Sequence, residues 1–476
     1  MTETKQPENN QPSPFKEKVN AYLKNFARAL GMKDILAEHQ QKIVRIIDRN
    51  NQIADLIESE GPDGYKNIVK EEIALRGEAK LGFVYCIDGR IPTIFLAGRF
   101  ANAWEEPAGL IGLTDSDNGA KTPRSTILEE ALDEAAAENR DVLEVFFAHT
   151  SAINGPNTCG YMNALSSGGK LPAGATDLTA ENIRQFEQDQ IPAVTEYYNR
   201  VRMQRGQEPL ARVGISAVYE TDTMGVVLNY GQGDKQFSTT DMVNSIRTGL
   251  ESIVGEHLGS FGSMRETFSH PENFTTLSQR VLELTKFLMS RKNFAEHIDG
   301  YLSNNYADMT DSQHQALRFM IFRTMALQYV TGLAEPGQKH EFTHHNEDYL
   351  AVSLSGKTVG RFDTSEQVFA STPSDTPTAI ADISLKLSLM DKHDAVKPYV
   401  LFVSNPVKKA DFDKFEQSGS ESIRRNMALN ASLYRTAVNA AELKQRIKQG
   451  DLIVVPVLVD QNTGKILEVL DHTAKL

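Results

Sequence analysis

Cys86, His149 and Cys159 are the residues of this chain best suited to chemistry. Cys86 stands in Phe83-Val84-Tyr85-Cys86-Ile87-Asp88-Gly89-Arg90, an apolar run that ends in a polar turn. His149 closes a second apolar run, Val142 to Ala148, and Cys159 follows it in Asn157-Thr158-Cys159-Gly160. Two thiolates and one imidazole make a three-ligand zinc set with the fourth position left for water. Asp88 and Arg90 lie beside the first thiol, close enough in sequence to act on what that position holds. Taken alone, a cysteine on a strand is an ordinary small apolar residue. What changes the reading is that Cys86, Asp88, Arg90, His149 and Cys159 occur in order, each at or just beyond a strand end, where an α/β sheet exposes its catalytic side chains.

The elements that must position these residues can be read from periodicity. Strands are expected near 81–87, 142–148 and 212–220, separated by helical stretches at 126–138 and 181–204. That alternation predicts an α/β fold with a mostly parallel sheet and flanking helices. Upstream, Val19, Tyr22, Leu23, Phe26 and Leu30 recur at helical spacing, as do Ile43, Ile46 and Ile47. Helices are also expected at 239–256, 276–298 and 311–332, with strands returning near 349–354. The resulting division is a polar, Pro-rich tail at 1–14, a helical N-terminal region at 15–79 and a zinc-binding domain at 80–235. A helical segment at 236–335 and an α/β domain at 336–476 complete it.

This last region reads as a worn copy of the first. Ala351–Lys357 can be laid over Val84–Arg90, Tyr399–Asn405 over Glu144–Thr150, and Ile453–Asp460 over Val213–Glu220. In that overlay Cys86 becomes Ser353, Asp88 becomes Ser355 and His149 becomes Ser404, so the copy carries no ligand. Chance similarity between α/β strands is the competing explanation.

Cys-x-Asp-x-Arg followed by His and then Cys-Gly resembles the zinc signature of β-type carbonic anhydrases. The nine residues between His149 and Cys159 exceed the usual His-x-x-Cys spacing. The longer loop looks more like the divergent carboxysomal and cadmium-using relatives. Glu106-Pro107-Ala108-Gly109-Leu110-Ile111-Gly112 is similar to an Ala-Gly-rich segment of the carboxysomal branch and of a related subunit of inorganic-carbon uptake complexes. The layout of helical region, intact zinc domain and degenerate copy is similar too. The resemblance implies Zn2+ held by Cys86, His149 and Cys159, and reversible hydration of carbon dioxide to bicarbonate. It also implies an Asp88–Arg90 dyad, with Asp88 orienting the zinc-bound hydroxide and Arg90 keeping Asp88 ionised. In some relatives the aspartate itself closes the zinc site. Phe95, Leu96, Phe100, Trp104 and Leu110 are candidates for an apolar wall, and equally for plain core.

Other signals are weaker. Lys339-His340-Glu341-Phe342-Thr343-His344-His345-Asn346-Glu347 stretches a His-Glu-x-x-His protease signature by one residue, which breaks it. Ser166-Ser167-Gly168-Gly169-Lys170 lacks the full phosphate-loop frame. A net charge of -13 argues against nucleic acid or anionic lipid as a main partner. No stretch approaches the ~18 consecutive apolar residues of a membrane helix, so a cytoplasmic protein without membrane insertion is expected. With two cysteines in 476 residues, a disulfide scaffold is improbable. A homodimer and a carboxysome-type assembly partner are open. So are two other functions: hydrolysis of carbon disulfide or carbonyl sulfide on the same fold, and a scaffold with a structural zinc.

Overall fold

A computed structural model describes residues 13–32, 37–59, 65–85, 103–106, 113–115, 121–123, 126–150, 180–254, 271–332, 347–354, 367–371, 376–392, 397–418 and 420–475. The chain opens with helices α1 (Phe15–Leu30), α2 (Ala37–Glu58) and α3 (Tyr65–Arg76). A first α/β unit follows: β1 (Lys80–Tyr85), β2 (Ala103–Glu106), a small hairpin of β3 (Leu113–Asp115) and β4 (Lys121–Pro123), α4 (Thr126–Ala137) and β5 (Val142–Thr150). It continues through α5 (Ala180–Gln204), β6 (Gly214–Glu220), β7 (Gly225–Leu228) and β8 (Phe237–Ser238). Four helices come next: α6 (Thr239–Val254), α7 (Pro271–Ser290), α8 (Lys292–Asn305) and α9 (Asp311–Thr331). A second α/β unit holds β9 (Glu347–Val352), β10 (Gln367–Ser371), α10 (Thr376–Lys392) and β11 (Tyr399–Val407). It ends with α11 (Lys409–Ser418), α12 (Glu421–Asn439), α13 (Ala441–Gln449), β12 (Leu452–Asp460) and β13 (Ile466–Val469).

Local sequence explains these elements. In α1, the buried Val19, Tyr22, Leu23 and Phe26 fall on one stripe, and Gly31 ends the helix in the left-handed region at φ 64°. Helix α9 starts on a capping box, in which the Thr310 hydroxyl accepts from the Gln313 N–H and the Gln313 side chain accepts from the Thr310 N–H. It is buried on nearly every side because it runs through the interior, and it carries Arg323, Thr324 and Gln328 inward.

The first sheet has the order β2-β1-β5-β6-β7-β8 and the second β10-β9-β11-β12-β13. In each, the first four strands are parallel, and β7 and β13 return antiparallel. Strands β5 and β12 are apolar runs without alternation, as expected where helices cover both faces. Helix α5 packs on β5 and β6, and α12 packs on β11 and β12. The protein is thus of mixed α/β class, and β1 through β7 share the strand order of β9 through β13 once the β3–β4 hairpin is set aside.

Four further helices are exchanged between the units. Helices α1 and α2, which precede the first sheet, pack on β13 of the second. Helices α6 and α9, which precede the second, pack on β7 of the first. Polar contacts fix the first exchange. The Tyr22 hydroxyl bonds the Val454 carbonyl and meets the Tyr434 hydroxyl at 3.1 Å. Asn51 both donates to the Ile466 carbonyl (3.0 Å) and accepts from its N–H (2.8 Å). One buried cluster accordingly runs from Val19 in α1 through Leu143 in β5 to Val454 in β12.

Register corrects part of the sequence overlay. Strand starts match with Glu144 over Tyr399: the Glu144 N–H donates to Val213 and the Tyr399 N–H to Asp451. Strand ends match with Glu220 over Asp460, where Thr221 N–H donates to Thr150 and Gln461 N–H to Val407. Between these points β11 and β12 are two residues longer than β5 and β6. Tyr85 pairs with Phe147, whereas Val352 pairs with Val403. On either alignment Tyr85 is level with Ala351 or Ser353, not with Val352 as the overlay has it. The equation of Cys86 with Ser353 is therefore slipped by one residue, which turns a side chain to the other face. His149 corresponds to Ser404 at the strand starts and to Pro406 at the strand ends.

Candidate functional site

The carboxyl ends of β1 and β5 lie side by side, because the two strands are parallel and paired from Lys80–Val142 to Tyr85–Phe147. Cys86 is the residue that follows β1. His149 is the penultimate residue of β5, buried to 1% exposure and paired with Tyr219 of β6. Neighbouring strands stand about 4.8 Å apart, so the carboxyl ends of β1 and β5 adjoin. Cys86, Asp88, Arg90 and Cys159 lie outside the described residues. So do Phe95, Leu96, Phe100, Leu110, the Ser166–Lys170 loop and His340, His344 and His345. Trp104 contributes backbone to β2, opposite Gly82.

The rows beside His149 are aromatic. Phe147 meets Phe83 with ring centroids 5.6 Å apart and Tyr219 edge-on at 6.2 Å. Burial pushes the Tyr219 phenol well above its ordinary value, so it stays neutral at working pH. A neutral aromatic wall disfavours charge beside the imidazole.

The hairpin from β6 to β7 closes this edge with a carboxylate that the sequence reading did not single out. Glu220 Oε2 accepts from the hydroxyls of Thr223 (3.0 Å) and Thr240 (2.9 Å). Gln328 of α9 donates to the Thr223 carbonyl (3.1 Å) and to Thr240 Oγ1 (2.8 Å). The Thr221 N–H and hydroxyl both donate to the Thr150 carbonyl, pinning the end of β5 beside the turn. The second unit repeats the device: Thr463 Oγ1 donates to Asp460 Oδ2 at 2.7 Å, and Asn50 of α2 reaches the Gly464 carbonyl at 3.0 Å. An acidic residue with Thr three positions on, present at both 220–223 and 460–463, is the sequence signal that could have found it.

Among the described residues, no group of three or more His, Cys, Asp or Glu could hold a metal ion. One candidate ligand, His149, is described, and its buried place at a strand end suits a zinc donor. No helix among the described residues is long and apolar enough to cross a membrane. Searches against protein-family models and against curated proteins return no match to this chain.

Proposed function

We propose that the chain is a zinc-dependent carbonic anhydrase built on a β-carbonic-anhydrase-like α/β unit, with a second unit of the same strand order that has lost its ligands. The observation that supports this reading is the parallel pairing of β1 with β5, which brings the carboxyl ends of the two strands together, with His149 near the end of β5. Cys86, His149 and Cys159 would hold the metal. Zinc bound there would supply Lewis acidity and a water acidic enough to react near neutral pH. Two thiolates offset much of the ion's charge, so orientation by the surrounding residues matters more than at an all-histidine site. Asp88 would accept a hydrogen bond from the metal-bound water and orient it toward the substrate. Arg90 would keep Asp88 ionised through a charge-assisted pair. The neutral aromatic row of Phe83, Phe147 and Tyr219 suits a substrate with little capacity for hydrogen bonding.

The test is metal content with stopped-flow carbon dioxide hydration on the full chain, beside Cys86→Ser and Asp88→Ala. About one zinc per chain is expected for a three-ligand site of this kind. Cys86→Ser should lose metal and activity together; Asp88→Ala should keep metal and lose hydration. Stoichiometric zinc with no hydration between about pH 7 and 9, where bound water ionises, would overturn the reaction. Carbon disulfide and carbonyl sulfide would then be tried. Absence of metal would overturn the reading entirely.

A further inference from the structure

A buried charge cluster lies where α3 meets α9, on the approach to the amino end of β1. Glu72 and Arg76 stand one turn apart on α3, and Arg323 comes from the middle of α9. Their exposures are 1%, 0% and 1%. Arg323 Nε donates to Glu72 Oε1 at 2.7 Å, while Glu72 Oε2 is buried and makes no hydrogen bond among the described residues; the two cations thus share one carboxylate. Arg76 remains. Its Nε, Nη1 and Nη2 are all buried and make no hydrogen bond among the described residues. Arg323 Nη1 is in the same condition.

Burial is the main influence on Arg76 and lowers its pKa to about 10, with Glu72 opposing and Arg140 adding to the effect. That value is far above neutrality, so the guanidinium is cationic in the folded protein. The cluster thus carries one uncompensated positive charge in the interior, together with a fork of unused N–H groups. Natural interiors rarely leave either feature unanswered. A water molecule would satisfy some of the donors and none of the charge. A divalent anion would overshoot, because Glu72 already supplies one negative charge.

We propose that a small monovalent inorganic anion, a halide or a trigonal oxyanion, occupies an interior position against the unpartnered N–H groups of Arg76, beside the Arg323–Glu72 pair. The planar guanidinium presents parallel N–H groups suited to such an ion. The anion acts as a brace. It ties α3, which leads through Gly77 into β1, to α9, which packs on β5 and β7. The proposal stands apart from the zinc chemistry and from its success.

The experiment is the thermal midpoint of the full, extensively dialysed chain at constant ionic strength. Gluconate, too large for the interior, is replaced stepwise by chloride and, separately, by nitrate. Arg76→Met is followed in parallel. A saturable rise in the wild-type midpoint, absent from Arg76→Met, is expected, with broadening of the chloride-35 resonance that the variant abolishes. A response to chloride assigns a halide and a response to nitrate alone a trigonal oxyanion. Equal responses in both proteins, or no saturable response to either ion in the wild type, overturn the proposal. Should Arg76→Met fail to fold, Arg76→Lys keeps the charge and loses the fork, and it should need a higher concentration of the ion for half-saturation.

Discussion

Asn51→Leu tests the exchange of helices between the two units. The Asn51 amide treats Ile466 as a strand neighbour would, donating to its carbonyl at 3.0 Å and accepting from its N–H at 2.8 Å. Leucine preserves the size of the side chain and removes both partners. Each buried backbone group left unpaired costs about 1–3 kcal/mol, giving roughly 4 kcal/mol for two at the centre of that range. Burying the leucine returns about 2 kcal/mol. The net loss is therefore about 2 kcal/mol, read as a lower urea midpoint. Hydrogen exchange supplies the local readout: the Ile466 amide should lose protection well before the centre of β12 does. Asn25, whose amide reaches Asp471 at 2.7 Å on the surface, is the control, and Asn25→Leu should change stability by less than about 0.5 kcal/mol. An unchanged midpoint together with intact Ile466 protection in Asn51→Leu would refute the idea that this contact holds α2 on the second sheet.

Three further outcomes are expected. Asn430 donates to the carbonyls of Val403 (2.8 Å) and Val457 (3.1 Å), flanking Pro456, which has no N–H of its own; Asn430→Ala should cost about 2–4 kcal/mol in chemical denaturation. A Cβ at Gly225 would collide with Thr240 Oγ1 and come within 2.8 Å of Glu220 Oε2. Gly225→Ala should therefore lower stability by about 1–3 kcal/mol and disturb the end of β5, measured by denaturation and by exchange of the Thr221 amide. The Arg446 hydrogen bond, aided by Tyr399 and Lys397, holds Asp391 below the usual carboxylate range against the opposing effect of burial. A depressed folded-state value stabilises above the unfolded value of about 3.9 and is lost as pH falls through the folded one. The difference in thermal midpoint between wild type and Asp391→Asn should thus be present at pH 7 and close in strong acid.

Much of the architecture was legible because strand and helix periods differ. The strands expected near 81–87, 142–148 and 212–220 are found at 80–85, 142–150 and 214–220. The helix expected at 276–298 is two helices, α7 and α8, broken at Arg291, whose extended backbone separates two apolar stripes that read as one. Register was not legible. A strand buried on both faces is apolar throughout, so nothing in Tyr399–Val403 or Leu81–Val84 marks which residue faces which helix. That uniformity is why the overlay slipped at β9. Pro456 would ordinarily argue against a central strand, and the answer to it, Asn430, lies on a distant helix. At the candidate site, His149 could be picked out because a histidine ending an apolar run is conspicuous. For Glu220 the sequence offers Thr223 three residues on, while its other partner, Thr240, comes from another element.

The exchanged helices also set an order of events during synthesis. Val19, Tyr22, Leu23 and Phe26 of α1 leave the ribosome well before the surface that buries them, which includes Val454 and Tyr434. At 5–20 residues per second, the intervening stretch of about 400 residues takes roughly 20–80 s. For that time the face of α1 that packs on the second unit has no native surface to receive it, which is the condition that recruits a holding chaperone or invites pairing with another nascent chain. Truncations that remove β12 and β13 would strand that face permanently, so lesions in these strands should be felt at α1.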